Sequence, residues 1–285
     1  MLSYQHIYHA GCHADVLKHV VLGEIVAAMQ QKEKPLFMLD AFASRGLYHL
    51  DSDEALKNRE FETGIGRLWP LRDAAMPAGV RRWLDAVRAR ARMDEFTPFP
   101  GSTALLQGWQ RPQDRLAACD LHPQEFDALR GNFNSDRSLA LHKRDAYEAI
   151  RGLLPPKEKR GLVFLDPSYE EKDEYVRIAR AVADAYPHFR TGVFAIWYPL
   201  LPAARHEDLY RALRRSGLRK ILRVELDGRG CFASKDQPMQ MQGSGILIIN
   251  PPWHAQEGIR SSLAWIKDKL TGQQGTGSVN WLVPE

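Results

Sequence analysis

Two spacings alternate along this chain. Short apolar runs, the kind found in strands buried on both faces, are separated by stretches whose apolar residues recur every three or four positions, as on one side of a helix. The runs fall at residues 36–39, 116–119, 139–142, 162–165 and 193–196, and the helical stretches between the later ones at 123–133, 146–154 and 171–186. Strand, helix, strand in this order predicts a doubly wound α/β sheet whose ligand sits at the carboxyl ends of the strands. Before the first run, Val16, Leu17, Val20, Val21, Ile25, Ala28 and Met29 form a helix pattern, with Asp15 near its start and Lys32 and Lys34 beyond its end. After the last, the spacing predicts a helix at 209–213, a strand through Val224 and Leu226, a strand at 245–249, a helix around Leu263, Ile266 and Leu270, and a strand-like close at 279–283.

Residues 51–98 interrupt the alternation. They are charged and tryptophan-bearing, with Trp69, Leu71, Trp83, Leu84 and Val87 as core candidates. They read as an inserted helical subdomain, leaving 1–50 and 99–285 as the main domain.

Composition narrows the class. An apolar content of 44% over 285 residues can fill a sizeable core. No run approaches the apolar length of a membrane span, and the first residues lack a basic-then-apolar signal, so a cytoplasmic protein is expected. Cys12, Cys119 and Cys231 are too few and too scattered for a disulfide framework or a four-cysteine metal site. A net charge of +4 is only mildly basic, so any nucleic-acid surface must come from local clusters. Two are visible: Arg81, Arg82, Arg88, Arg90 and Arg92 against Asp85, and Arg205, Arg211, Arg214 and Arg215 followed by Arg219, Lys220 and Arg223. A solvated helix face is the bland alternative for either.

The chemistry gathers at strand ends. Four of the runs lead to acids: Asp40, Asp120, Asp145 and Asp166. One such acid is most often a helix cap, but several together suit ribose hydroxyls and an adenine amine. After Asp40 the stretch 41–46 is the place for a nucleotide loop, although only Gly46 offers the freedom such a loop uses. Asp166-Pro167-Ser168-Tyr169 combines a carboxylate, a proline-fixed carbonyl and a ring, which suits an exocyclic amine on a planar base. It resembles the Asp-Pro-Pro-Tyr motif of amino-group methyltransferases that use S-adenosylmethionine. Asn250-Pro-Pro-Trp253 matches that pattern more closely. It follows the seventh strand counted from residue 36, however, and in the usual methyltransferase sheet that strand is antiparallel and ends away from the cofactor.

Taken together, the chain resembles the bacterial enzymes that methylate N6 of an adenine in 23S ribosomal RNA. The resemblance rests on Leu2-Ser-Tyr-Gln-His6, the block from His9 to His19, Pro100-Gly-Ser102, Leu121-His-Pro123, Asp166-Pro-Ser-Tyr-Glu170, Trp197-Tyr-Pro199 and Ile249-Asn-Pro-Pro-Trp253. It implies a Rossmann-like, seven-stranded methyltransferase sheet and S-adenosylmethionine as cofactor. It implies Lys18, His19, Asp40, Phe42, Gly46, Ser102, Asp120, Asp145, Ala146 and Asp166 around that cofactor. Asp166, Pro167 and Tyr169 would be catalytic, and Tyr4 and His6 would face the RNA. The chain departs from the family at Cys12, Phe42, Ser44, Asp120, Ala146 and Ser168, which keeps open a non-catalytic RNA-binding relative. Adenine in DNA or a protein glutamine would suit the same acceptor geometry. The partner expected is 23S ribosomal RNA, with no membrane, no metal and a monomeric chain. The N-terminal block, with Tyr4, Tyr8 and four histidines, is expected to form a lid on the active site, and not a metal site built on His9, Cys12 and His13.

Overall fold

The computed structural model describes residues 4–91, 97–134, 136, 138–228, 231, 232 and 241–285. After a short 3₁₀ turn at His6–Tyr8, α1 (His13–Gln30) leads into β1 (Phe37–Asp40). The elements β2 (Leu47–Tyr48), α2 (Asp53–Asn58), α3 (Ile65–Leu68), α4 (Ala78–Arg90) and β3 (Phe99–Pro100) come next, and α5 (Ser102–Trp109) follows them. The alternation then resumes through β4 (Arg115–Asp120), α6 (Pro123–Phe133), β5 (Leu139–Lys143), α7 (Ala146–Leu153), β6 (Gly161–Leu165), α8 (Glu174–Ala185) and β7 (Gly192–Leu200). It closes with α9 (His206–Arg215), β8 (Ile221–Asp227), β9 (Gly243–Ile249), α10 (Ala255–Thr271) and β10 (Thr276–Val283).

The main sheet runs in the order β10-β8-β9-β7-β6-β1-β4-β5. From β5 to β7 every pairing is parallel, whereas β9 is antiparallel to both β7 and β8. Seven strands were expected in this sheet and eight are present among the described residues. The added one is the strand-like tail, β10, paired antiparallel with β8 at the edge. Its apolar alternation is weak, because few of its residues are buried, so the sequence marks a strand there without assigning it to the sheet.

Side chains alternate between two cores, as the pleat requires. Met38 joins the core beneath α1, α4, α5 and α10, while Phe37 and Leu39 join the one beneath α7, α8 and α9. The sheet is therefore covered on both faces. β7 extends through Trp197-Tyr-Pro199 to Leu200, beyond the expected strand end, because β9 pairs with it as far as Leu200 and Gly243.

β2 and β3 were not anticipated. Leu47 opposes Pro100 and Tyr48 opposes Phe99, which brings the two ends of the intervening segment together. Within it, Val80, Trp83, Leu84 and Val87 of α4 are fully buried against the α1 side of the sheet. Each such side chain contributes about 1.5–3 kcal/mol of burial free energy. The arginines of α4 are correspondingly engaged. Arg88 donates to the Trp69 and Leu71 carbonyls at 3.2 and 3.1 Å, Arg82 approaches the Gly23 carbonyl at 3.5 Å, and Arg90 bonds to the Gln107 side chain. The expectation that this helix presents free cations to phosphates is corrected on that ground: packing α4 on α1 and α5 directs them into carbonyl and amide contacts. Arg92 lies outside the described residues. No described helix is long and apolar enough to cross a membrane.

Candidate active site

A cavity of about 890 Å³ opens at the carboxyl ends of β1, β4, β6 and β7, lined also by residues of the N-terminal block and by Glu60 and Thr63. At its centre is an ion-pair chain. Lys18 Nζ lies 2.7 Å from Asp15 Oδ1 and 2.7 Å from Asp166 Oδ2. Asp15, one helical turn before Lys18, is completely buried. It also accepts from the Gly11 amide at 2.7 Å and meets His6 Nε2 at 3.0 Å. Burial by itself would discharge Lys18, but the two carboxylates hold its ammonium well above the usual range. Burial likewise opposes a charge on Asp15, yet His6 and Lys18 hold its carboxyl well below its usual range.

The N-terminal block is ordered by contacts among its own residues. Tyr4 Oη lies 2.8 Å from His6 Nδ1, and the Tyr4 ring stacks on His9 with centroids 5.7 Å apart. His9 Nδ1 in turn meets Glu60 Oε1 at 2.8 Å. Burial would keep His9 neutral, but Glu60 outweighs it and the histidine pKa is raised. Residues 64 and 65 approach this loop closely: the Ile65 amide donates to the Gly11 carbonyl at 2.9 Å, and a Cβ on Gly64 would lie 2.1 Å from that same oxygen. Cys12 and His13 do not join His9 around a common point. His13 stacks on Phe232 at 3.6 Å, and among the described residues no group of three His, Cys, Asp or Glu is arranged to hold a metal ion.

Along the other wall lie the strand-end acids. Asp40 is completely buried, with Oδ2 accepting from Ser102 Oγ and Thr103 Oγ1 at 2.7 Å each, while Oδ1 has no partner among the described residues. Burial pushes its carboxyl up to about 6, partly offset by those two hydroxyls. Asp120 accepts from the Ser44 and His122 amides at 2.8 and 2.7 Å, and burial raises its pKa. Asp145 caps α7 through the Tyr147 and Glu148 amides, at 2.9 and 3.1 Å, and its other oxygen lies 3.6 Å from Arg177. The cap that a single acid predicts is thus present, in a residue that also lines the cavity. Phe42 packs edge-on to Tyr147 at 6.0 Å, beside Ala146. Ser44 (φ 49) and Gly46 (φ 71) both adopt left-handed backbone, so the loop has two positions suited to glycine and the sequence supplies one. Ser44 is compensated by a 2.6 Å bond from its hydroxyl to Glu125. His19 is buried and pushed down to about 3 by burial, leaving a neutral ring whose Nδ1 has no described partner.

Beyond β6 the Asp166–Tyr169 turn is braced. Tyr169 has φ 55, its amide donates to Glu174 at 2.9 Å, its hydroxyl donates to the Trp197 carbonyl at 2.6 Å, and its ring stacks on Tyr175 at 4.2 Å. The Lys18 ammonium lies 5.4 Å from the Trp197 ring. Of the residues expected around cofactor, acceptor and RNA, Tyr4, His6, Lys18, His19, Phe42, Ser102, Asp120, Asp145, Ala146, Asp166, Pro167 and Tyr169 line this cavity; Asp40, bonded to Ser102, and Gly46, whose carbonyl accepts from the Gly101 amide, do not. Sequence reasoning missed the roles of Asp15, Glu60, Thr103, Glu174 and Trp197. Only Asp15 carried a local signal, its three-residue spacing from Lys18 on one helix face.

Residues 33–283 match the family described as "Ribosomal RNA large subunit methyltransferase D, RlmJ". The chain belongs to the RlmJ family. It is 38% identical over 288 residues to the ribosomal RNA large subunit methyltransferase J of Haemophilus influenzae, covering all of both chains. It is 36% identical over 293 residues, again end to end, to the protein of that name from Escherichia coli K12. A crystal structure of a Legionella pneumophila protein has the same fold, with a TM-score of 0.86 and 32% identity over 96% of this chain and 98% of that one.

An RlmJ chain implies S-adenosylmethionine as methyl donor. The residues present fit it. A cavity rimmed by Asp120 and Asp145 has carboxylate lone pairs to spare, and the orphaned Asp40 Oδ1 and His19 Nδ1 leave buried polar capacity beside the loop.

Proposed function

We propose that this chain methylates the N6 amine of an adenine in 23S ribosomal RNA, as a cytoplasmic monomer, with Asp166, Pro167 and Tyr169 around the acceptor amine. The observation that carries the reading is the Lys18-braced carboxylate of Asp166, which stands where a parallel strand ends beside the cavity.

Asp120 and Asp145 would accept from the ribose and adenine of S-adenosylmethionine, with Phe42 and Ala146 beside the base, Lys18, His19 and Ser102 along its remaining length, and Asp40 and Gly46 supporting the wall behind it, Asp40 through Ser102. The bound group supplies an electrophilic methyl. What the chain adds is orientation of the acceptor. An adenine amine has its lone pair delocalised into the ring, and hydrogen bonds from N6–H to Asp166 and to the Pro167 carbonyl favour the pyramidal nitrogen that attacks. Lys18 holds one oxygen of Asp166, so the carboxylate is fixed before the base arrives. Asp166 also accepts the proton released, directly or through water. Tyr169, tied at its hydroxyl and its amide, offers a rigid ring for stacking. Tyr4 and His6 act on the RNA side as a lid, held by Asp15 and by the His9–Glu60 pair. Residues 51–98 serve as a subdomain that latches this lid.

The test is methyl transfer from labelled S-adenosylmethionine to deproteinised 23S ribosomal RNA, with mass spectrometry locating the label on N6 of adenine. Transfer to 23S RNA that disappears in Asp166→Ala supports the reading; absence of transfer by the wild type overturns it.

A further inference from the structure

The acceptor site leaves one motif unused. β9 runs antiparallel to β7, so Asn250-Pro-Pro-Trp253 emerges at the edge of the sheet where β6 and β7 begin, opposite the cavity. Along β6 alone the two edges are about 17 Å apart, at ~3.3 Å per residue. Asn250 adopts left-handed backbone (φ 57) and is pinned: its side chain donates to the Arg190 and Gly192 carbonyls at 3.2 and 3.1 Å, and its amide to the Lys220 carbonyl at 2.9 Å. Two prolines follow, and the Ala255 amide closes the turn on the Pro252 carbonyl at 3.0 Å. This rigid turn holds up a tryptophan that is 88% exposed. An indole held in water without a partner is unusual for a core-forming residue.

Its surroundings are basic. Thr191 bonds to the Lys159 carbonyl at 2.5 Å, which joins the loop before β6 to the loop before β7 and brings Lys159 and Arg190 to one edge with Lys220. α9 ends on the same edge, with Arg214 and Arg215 in its last turn. Some cations here are already engaged: Arg160 donates to the Met29 carbonyl in the last turn of α1 and to the Lys34 carbonyl, Arg219 donates to the Glu285 carbonyl, and Lys220 is paired with the Glu285 side chain. Lys159, Arg190, Arg214 and Arg215 have no ion pair among the described residues; the exposed acids toward this edge are Asp184 in the last turn of α8, Glu257, and Glu285, which is already bonded to Arg219 and Lys220. The rim of the cavity, by contrast, is acidic, with Glu60, Asp145, Glu171 and Glu174.

We propose that this far edge is a second RNA-binding surface, on which Trp253 stacks an unpaired base while Lys159 and Arg190 hold neighbouring phosphates. The proposal rests on the RNA reading above. A rigid exposed ring flanked by uncommitted cations is what single-stranded RNA recognition uses, whereas the buried core of a protein interface is depleted of charged residues. The long substrate would then be gripped on the side where phosphate is attracted and would reach the acidic cavity only at its target adenine.

The experiment is equilibrium binding of the full chain to deproteinised 23S ribosomal RNA at several salt concentrations, with S-adenosylmethionine binding and methyl transfer read in parallel. Trp253→Ala should weaken RNA binding about tenfold and raise KM for RNA in step, with kcat at saturating RNA and cofactor affinity unchanged. Trp253→Phe should recover most of it. Lys159→Glu and Arg190→Glu should each flatten the salt dependence by about one unit of slope. RNA affinity and salt slope equal to wild type in Trp253→Ala and in the double charge variant would overturn the proposal, including the case in which the edge serves a protein. Binding is read separately from transfer, so a wild type that binds RNA without methylating it would count against the proposed activity while this comparison of affinities still decides the anchor.

Discussion

Asp166-Pro-Ser-Tyr169 and Asn250-Pro-Pro-Trp253 are near copies in sequence and opposites in place. The first follows β6, parallel to its neighbours, and faces the cavity; the second follows β9, antiparallel to its neighbours, and faces the far edge. Their polar residues are spent differently. Asp166 gives one oxygen to Lys18 and lines the cavity, whereas both side-chain hydrogens of Asn250 go to backbone carbonyls of the β7 entry loop. The rings differ in the same sense: Tyr169 is stacked on Tyr175 and bonded to Trp197, while Trp253 stands in water. A short motif thus acquires its chemistry from the direction of the strand that carries it.

The largest effect should come from exchanging the two in function. Asp166→Ala should lower kcat for methyl transfer by at least about a thousandfold with S-adenosylmethionine affinity within a few-fold of wild type, since positioning and polar stabilisation of the acceptor are lost together. Asp166→Asn should retain a trace. Loss of cofactor binding in calorimetry would mean that Asp166 serves the cofactor instead. Asn250→Ala should do the reverse. It removes two hydrogen bonds from a left-handed residue and should cost about 1–3 kcal/mol in denaturant unfolding, with turnover per folded molecule unchanged. Silent stability with lost turnover would invert the assignment of the motifs.

A smaller effect separates the lid from both. Glu60→Gln removes the partner that raises His9, so the alkaline limb of the activity profile should move to lower pH and kcat should fall about tenfold, with cofactor affinity kept. The sign follows from the raised pKa: the protonated, Glu60-bound histidine exists below it and is lost as pH rises through it. An unshifted limb would show that Glu60 only packs. The smallest change is expected at Ser44→Gly. Relief of left-handed strain and loss of the bond to Glu125 oppose each other, each worth about 1 kcal/mol, so stability should move by less than that and cofactor affinity should hold or improve. A tenfold loss of affinity in calorimetry would make the Ser44 hydroxyl itself a contact.

Much of this was legible in the chain. Apolar runs and helical spacing are local properties, and they placed β1, β4, β5 and β6 and the helices after β4, β5, β6 and β7 within a few residues of their observed bounds, while α5 went unread and β7 runs to Leu200. Strand-end acids and the Asp166 motif were legible for the same reason, because a parallel strand ends at its ligand edge whichever strand lies beside it. What the sequence could not supply depends on residues distant along the chain that meet only in the folded sheet. The eighth strand, the β2–β3 pairing and the use of the α4 arginines on carbonyls each need a partner tens of residues away. The chain from Glu60 through His9 and Tyr4, and from His6 through Asp15 and Lys18 to Asp166, joins three separate segments by contacts that have no sequence period. Local composition therefore determined which chemistry the chain carries, and tertiary structure decided which acid a lysine would brace and which of two similar motifs would face the cavity, because direction and proximity exist only once the strands are paired.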